Sequence, residues 1–111
     1  MTETIEALKK EIIRCLQPMD PEKVILFGSH ASGTATEDSD IDLYVVTKDN
    51  FTPATWEEKR KLARRYSRSI QDIRKKWGID LIVHTRTMSE NFVKANSSFS
   101  REIHEKGQQL L

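Results

Sequence analysis

Two short apolar segments and the loop between them decide the fold, because residues 24–46 read VILFGSHASGTATEDSDIDLYVV. Val24–Phe27 is a β-rich apolar run that stops at Gly28-Ser29, which predicts a buried strand followed by a tight turn. Residues 30–39 are small and polar and predict a loop, with room for one helical turn at its start. Ile41–Val46 predicts a second strand, and its alternation divides the side chains between two faces. One face carries Ile41, Leu43 and Val45, and the other carries Asp40, Asp42, Tyr44 and Val46.

The flanking segments add helices and a third strand. Apolar residues at helical spacing predict a helix from Glu3 to Leu16, ended by Pro18 and Pro21. The same criterion predicts a long helix over residues 54–77 with Gly78 as its terminator, then a strand over Ile79–His84. Thr87-Met88-Ser89-Glu90 fits a capping box before a last helical region that runs towards Gly107. The pattern predicts an α/β fold: a small mixed sheet with helices mainly on one face and the carboxylates on the other.

Length and composition set the class of protein. With 111 residues, 37% hydrophobic and 32% charged, we expect one domain over residues 1–111. No apolar run approaches the ~20 residues of a membrane span, and the first residues do not resemble a signal peptide. Cys15 is the only cysteine, which excludes an internal disulfide and a cysteine-rich zinc site. We therefore expect a cytoplasmic protein without a membrane association.

Charge is distributed unevenly along the chain. Residues 1–50 hold five basic and ten acidic side chains, whereas residues 51–111 hold thirteen and seven. In one folded unit, this polarity predicts a cation-binding region beside a region that tolerates phosphate.

Three aspartates stand where strand residues are normally β-branched or aromatic. Asp40 and Asp42 are two positions apart at the start of one strand, and Asp80 opens another. Carboxylates on one sheet face repel each other and lose hydration, so the arrangement is costly without a cation. Oxygen donors of this kind suit Mg²⁺, and two ions about 3.5–4 Å apart are a known arrangement for activating an attacking oxygen and stabilising a leaving one.

Gly28-Ser29 supplies the complementary half of such a site. Glycine lets the backbone approach a polyphosphate, and successive N–H groups in a tight turn bind anions. A helical start around His30 would favour the same anion. Phosphates on one side and metals on the other predict nucleotidyl transfer.

The spacing of these residues resembles a known family. Gly28-Ser29, ten residues, then Asp40-Ile41-Asp42 is similar to the signature of the nucleotidyltransferase fold of the DNA polymerase β superfamily. Residues 78–83 resemble the strand that bears its third carboxylate, and Phe99–Ile103 with Gly107 resembles its C-terminal helix. Chain length is similar to that of the minimal nucleotidyltransferases, which lack the extra acceptor-holding domain of larger members.

The resemblance implies a specific activity. Minimal nucleotidyltransferases are commonly antitoxins paired with a helical HEPN RNase toxin, and they transfer AMP from ATP to a toxin tyrosine. By match to the motif, Gly28, Ser29 and His30 would bind the nucleotide. Asp40, Asp42 and Asp80 would be the catalytic metal ligands for two Mg²⁺ ions, with Asp80 helping to deprotonate the acceptor. The family often has Arg where this chain has His30, which predicts reduced phosphate affinity or rate.

Several alternatives stay open. The chain is also compatible with an antitoxin that occludes its partner with little catalysis, with nucleotidyl transfer to a small molecule, and with a homo- or hetero-oligomer. Nine basic residues on the long helix are compatible with nucleic-acid binding, but a solvated face is favoured, and docking of a partner protein stays open. Trp56, Trp77, Phe92 and Phe99 are expected to pack internally, His84 to be a strand-end residue, and His104 to be solvated.

Overall fold

The computed structural model describes residues 5–36 and 39–111, and their four strands form one sheet with helices on both faces. The helices are α1 (Ile5–Leu16), α2 (Ser29–Ser32), α3 (Trp56–Ser69), α4 (Gln71–Arg74), α5 (Arg86–Ala95) and α6 (Ser98–Arg101). The strands are β1 (Lys23–Phe27), β2 (Ile41–Val46), β3 (Ile79–His84) and β4 (Gln108–Gln109). A 3₁₀ turn spans Gln17–Met19, and a π-helical segment spans Glu102–Lys106. The predicted helix start at Glu3 lies outside the described residues.

The sheet has the order β3-β2-β1-β4 and mixes both strand directions. β1 is antiparallel to β2 and β4, with Phe27 opposite Asp42 and Ile25 opposite Gln109. β2 and β3 are parallel, and their register places Asp42 beside Asp80. The two predicted strand starts therefore meet at one edge of the sheet.

Strand alternation places the larger core on one face. Leu26, Leu43 and Val45 are fully buried there against Leu8, Ile12 and Leu16 of α1 and against Tyr66, Ile70 and Ile73 from the α3–α4 region. The apolar stripe of α1 is thus the one that its helical spacing predicts.

Helices also cover part of the opposite sheet face, which the sequence predicted to carry the carboxylates with few helices. The fold class is confirmed, but α5, α6 and the π-helical segment pack over the far half of the carboxylate face. Their cluster contains Ile25, Phe27, Tyr44, Val46 and Ile103, with Ile82 and Phe92 against it. Tyr44 is fully buried, so it belongs to this core and not to a surface pocket.

Three helix predictions need correction. The long helix breaks at Ile70, whose φ of −110° and ψ of 19° separate α3 from α4. Gly78 does not cap a helix, because α4 ends at Arg74 and Gly78 lacks a positive φ. The last helical region starts at Arg86, where the Thr85 hydroxyl accepts the Met88 N–H, and not from a cap at Thr87. Thr85 and Thr87 are both possible N-caps by sequence, and the end of β3 at His84 decides which of them begins the helix.

Other predictions depended on packing partners that the sequence does not display. Trp56 is 76% exposed, in contrast to the predicted packing, whereas Trp77 packs against the larger core. Phe92 packs as expected, and Phe99 is partly exposed with its edge against Phe27. Within residues 5–36 and 39–111, no helix is long and apolar enough to cross a membrane.

Two histidines join the core of the second face. Tyr44 Oη and His84 Nδ1 are hydrogen-bonded at 2.8 Å, and the rings of Tyr44 and His104 meet edge to face at 5.8 Å. His104 is half-buried, its Nδ1–H donates to Ser100 O at 2.7 Å, and its Nε2 has no partner among the described residues. The prediction that His104 is solvated was therefore wrong, because the π-helical segment places this side chain against Tyr44.

We expect acid to destabilise this cluster through His84. Burial, followed by Lys59 and His104, lowers the pKa of His84 from its ordinary value of 6.5. Below pH 6.5 the unfolded chain then carries more protons than the folded chain, so folding stability is fully present above that pH and falls as the pH drops. The loss should not exceed about 1 kcal/mol, because the ring is only partly buried. Urea unfolding of the wild type and of His84→Gln at pH 7.5 and 5 measures this loss of folding free energy. An equal loss in both proteins would show that it does not come from His84.

Candidate active site

The turn after β1 depends on the conformational freedom of Gly28. Its φ of 75° and ψ of −153° fall in a region that is essentially restricted to glycine, and it is the N-cap of the single-turn helix α2. Ala31 and Ser32 donate their N–H groups to Gly28 O at 3.1 Å. The N–H groups of Ser29 and His30 come before these and lack partners within the helix, as at any helix start.

The Asp42 carboxylate lies directly against this turn. A Cβ added to Gly28 would overlap Asp42 Oδ2 and lie 3.2 Å from Asp42 Cγ. The contact follows from the antiparallel register, which pairs Phe27 with Asp42. A predicted nucleotide-binding residue and a predicted metal ligand are thus in contact.

A second glycine accommodates Asp40. A Cβ on Gly78 would overlap Asp40 Oδ1, while the Ile41 N–H donates to Gly78 O at 2.8 Å. Asp40 precedes β2 and Gly78 precedes β3, so both stand where the parallel pair begins. Gly78 therefore leaves the space in which this carboxylate lies.

Asp80 completes the group from the neighbouring strand. It is the register partner of Asp42 in the parallel pair, and adjacent strands are about 4.8 Å apart, so both side chains leave the same sheet face. The pKa of Asp42 is raised by burial first and then by the negative charges of Asp80 and Asp40. Asp80 and Asp40 therefore both lie within electrostatic range of the Asp42 carboxylate.

Two further charged residues act on Asp42. Glu102 raises its pKa and His30 lowers it. Sequence reasoning placed Glu102 in the C-terminal helix but not at the site, because 60 residues separate it from Asp42. Only the packing of the π-helical segment brings them near, and no local signal could have found it.

His30 also has a structural contact. Its Nε2–H donates to Ser39 O at 3.0 Å, which closes the loop between α2 and β2 just before Asp40. A carbonyl only accepts, so Nε2 carries the proton. The side chain of this predicted nucleotide-binding residue is thus held by the loop. Asp38, in the middle of the motif, lies outside the described residues.

The carboxylates fit a hard cation but do not form a finished cage. Among residues 5–36 and 39–111, no three acidic, His or Cys side chains converge into a group that would hold a metal ion alone. The donors are all carboxylate oxygens, and their mutual repulsion is what a divalent cation would remove. Mg²⁺ usually takes one or two carboxylates and completes its shell with water and substrate phosphates. The residues present therefore fit Mg²⁺ bound together with a nucleotide.

Comparison with known proteins decides the family. The model of the family described as "Polymerase beta, Nucleotidyltransferase" matches residues 10–111. The chain belongs to this nucleotidyltransferase family. The resemblance that the motif spacing indicated is confirmed, and with it the fold and the enzyme class.

A relative and two solved structures extend the comparison. A protein of Methanocaldococcus jannaschii, named as a protein adenylyltransferase, is 30% identical over 101 residues, which cover 91% of this chain and 96% of the relative. A chain of a toxin–antitoxin crystal structure with AMP-PNP is 25% identical, with a TM-score of 0.55 over 93% of this nucleotidyltransferase and 72% of that chain. A second chain, from a variant of the toxin–antitoxin MntA-HpeT with two aspartates replaced by glutamate, is 18% identical, with a TM-score of 0.55 over 93% and 71% of the two chains. This last likeness concerns the fold alone.

Proposed function

We propose that this nucleotidyltransferase transfers AMP from ATP to a tyrosine hydroxyl of a HEPN-type RNase toxin, and so acts as an antitoxin. The observation that carries the proposal is the contact of the Asp42 carboxylate with the Gly28 turn, beside Asp80. This contact supports a site in which metal-binding oxygens and phosphate-binding N–H groups lie close enough to bind the same nucleotide. The protein adenylyltransferase relative and the toxin–antitoxin neighbour support the acceptor class and the partner. A reaction that consumes ATP also agrees with the predicted cytoplasmic location.

Each site residue has a part in the proposed reaction. The backbone at Gly28 and the N–H groups of Ser29 and His30 bind the phosphates, and the Ser29 hydroxyl adds a donor. Asp40, Asp42 and Asp80 would hold two Mg²⁺ ions, which when bound would offset the charge of the phosphates and of the leaving pyrophosphate. The acceptor oxygen forms a bond to the α-phosphorus while the bond between that phosphorus and the bridging oxygen breaks. Asp80 takes the proton of the tyrosine hydroxyl, and pyrophosphate leaves.

Nucleotide binding provides the first test. We expect MgATP to raise the Tm of the wild type by about 10 °C, because a ligand at 100 times its Kd adds about 2.7 kcal/mol to stability. Asp42→Asn should lose more than half of this rise. Asp72→Asn, which removes the same charge from an exposed position on α4, should keep it. A wild-type Tm that does not respond to saturating MgATP would overturn the proposal.

Transfer is tested on the complex with the toxin partner. Mass spectrometry of the co-purified partner should detect increments of one AMP on a tyrosine, and these should be absent with Asp42→Asn. The alternative is an antitoxin that works by occlusion of the toxin, with little or no catalysis. Neutralisation of the toxin that persists with Asp42→Asn would establish occlusion.

A further inference from the structure

The start of α3 exposes two large aromatic side chains. Trp56, the first residue of the helix, is 76% exposed, and Phe51, just before it, is 48% exposed. Leaving a tryptophan in water forfeits much of the free energy that its burial would contribute. Neighbouring exposed aromatics are therefore candidates for a binding surface.

Each aromatic residue borders a groove that also contains cations. Trp56 shares a groove of about 300 Å³ with Lys59 and Arg60. Phe51 shares one of about 290 Å³ with Lys61 and Arg65. Leu62 lines both grooves, so they lie on the two flanks of α3 with this buried residue between them. Each flank thus has one exposed aromatic residue and two cations, and we call this surface the α3 platform.

The cations of the α3 platform are largely available to an external anion. Within the described part of the chain, Arg65 has an ion pair, with Asp49 at 4.0 Å, and Lys59, Arg60 and Lys61 have none. The acid in the Phe51 groove is Glu58, and its Oε2 accepts the Ala54 N–H at 2.7 Å. Arg64 and Arg68 extend the positive charge along the helix.

The α3 platform is separate from the proposed active site. Tyr66 of α3 packs in the core on the sheet face of Leu43, whereas Asp42 points to the other face. The Trp56 groove extends to Ile82 and His84 at the β3 edge, but neither groove is lined by the three aspartates of the proposed active site.

We propose that the α3 platform binds single-stranded nucleic acid, with bases stacked on Trp56 and Phe51 and phosphates paired with Lys59, Arg60 and Lys61. Proteins that bind single strands combine aromatic side chains, on which any base can stack, with cations that pair with the phosphates, and the α3 platform exposes both kinds of group. An acidic protein is a poorer match, because protein interfaces gather aromatics in a centre depleted of charge and of lysine. Here every aromatic lies beside its own pair of cations. The proposal does not depend on the proposed adenylyl transfer.

Fluorescence anisotropy with labelled 12-nucleotide RNA and DNA single strands tests the α3 platform. We expect micromolar binding at low salt, quenched tryptophan fluorescence in the wild type, and no quenching in Trp56→Phe. Trp56→Ala should weaken binding about tenfold, the usual effect of losing one stacked base. Lys59→Ala/Arg60→Ala should reduce the slope of log affinity against log salt concentration by about 1.4. Each lost phosphate contact accounts for about 0.7 of this slope. The RNA and DNA arms show which sugar is preferred, and tighter binding of either supports the α3 platform.

The control removes two exposed cations at the end of α4, outside the α3 platform. Arg74→Ala/Lys75→Ala on α4 should change the affinity by less than twofold. Circular dichroism should show that all variants fold, since the mutated side chains are exposed. The proposal is overturned by no binding at 50 μM RNA or DNA in 50 mM salt, by Trp56→Ala binding as the wild type does, or by equal losses in the two double variants. A Glu-rich peptide that binds more tightly than RNA of equal charge, with the same dependence on Trp56, would overturn it in favour of an acidic protein.

Discussion

Gly28→Ala is expected to lower nucleotidyl transfer at least about 100-fold and to destabilise the protein by about 1–3 kcal/mol. The φ of 75° and ψ of −153° at this position are strained for any residue with a Cβ. The new methyl group would also displace the Asp42 carboxylate that it overlaps, and misplacing a reacting group by about 1 Å costs this much rate. AMP transfer and the Tm rise with MgATP measure the functional loss, and urea unfolding measures the stability.

Gly33→Ala is the matched control for Gly28→Ala. Gly33 also has a positive φ, 81°, but a Cβ there would meet nothing within 4 Å. The backbone strain of about 1 kcal/mol should therefore appear in the unfolding curve without a large loss of nucleotide binding. Equal losses of function in both variants would contradict a specific role for the Gly28–Asp42 contact.

Gly78→Ala should separate function from stability. Its φ is not in the left-handed region, so alanine is compatible with the backbone, and the overlap is with Asp40 Oδ1, the end of a side chain. That carboxylate can rotate away at little cost in folding free energy. We therefore expect transfer to fall about 10–100-fold, as for other changes to groups that orient metal ligands, while the Tm changes by a few degrees at most.

Gly107→Ala should have the opposite effect to Gly78→Ala: a loss of stability without a loss of transfer. A Cβ on Gly107 would meet Ile103 O and Ile25 Cγ2, which are a backbone atom and a core side chain. We expect it to cost about 1–3 kcal/mol by overpacking and, in the folded protein, to leave transfer near the wild-type rate. If Gly78→Ala instead lost stability and kept its activity, Gly78 would be a packing residue and not one that positions Asp40.

The strands and their faces could be predicted because their signal is local. β2 and β3 begin and end where alternation and flanking turns indicated, at Ile41–Val46 and Ile79–His84. A side chain in a strand points to one of two faces, so Asp42 on the Tyr44 face follows from counting by twos. β4 gave no such signal, because it has two residues and exists through its pairing with Ile25 and Leu26.

The candidate site was predicted in its members but not in its contacts. Asp40, Asp42, Asp80 and the Gly28 turn were named from the motif, and the structure brings them to one edge of the sheet. It adds Glu102 and gives the His30 ring a partner in Ser39, both through long-range packing. Their roles in catalysis remain predictions for the variants above to test.

The sequence by itself determined the limits of β2 and β3, the family and the residue types of the site, because alternation, turn chemistry and motif spacing are properties of neighbouring residues. Only the tertiary structure decided that Gly78 makes room for Asp40, that His104 is packed against Tyr44, and that Trp56 is left in solvent. The burial of a side chain and the space around a glycine depend on segments far away in the chain. No local pattern records which segments will meet.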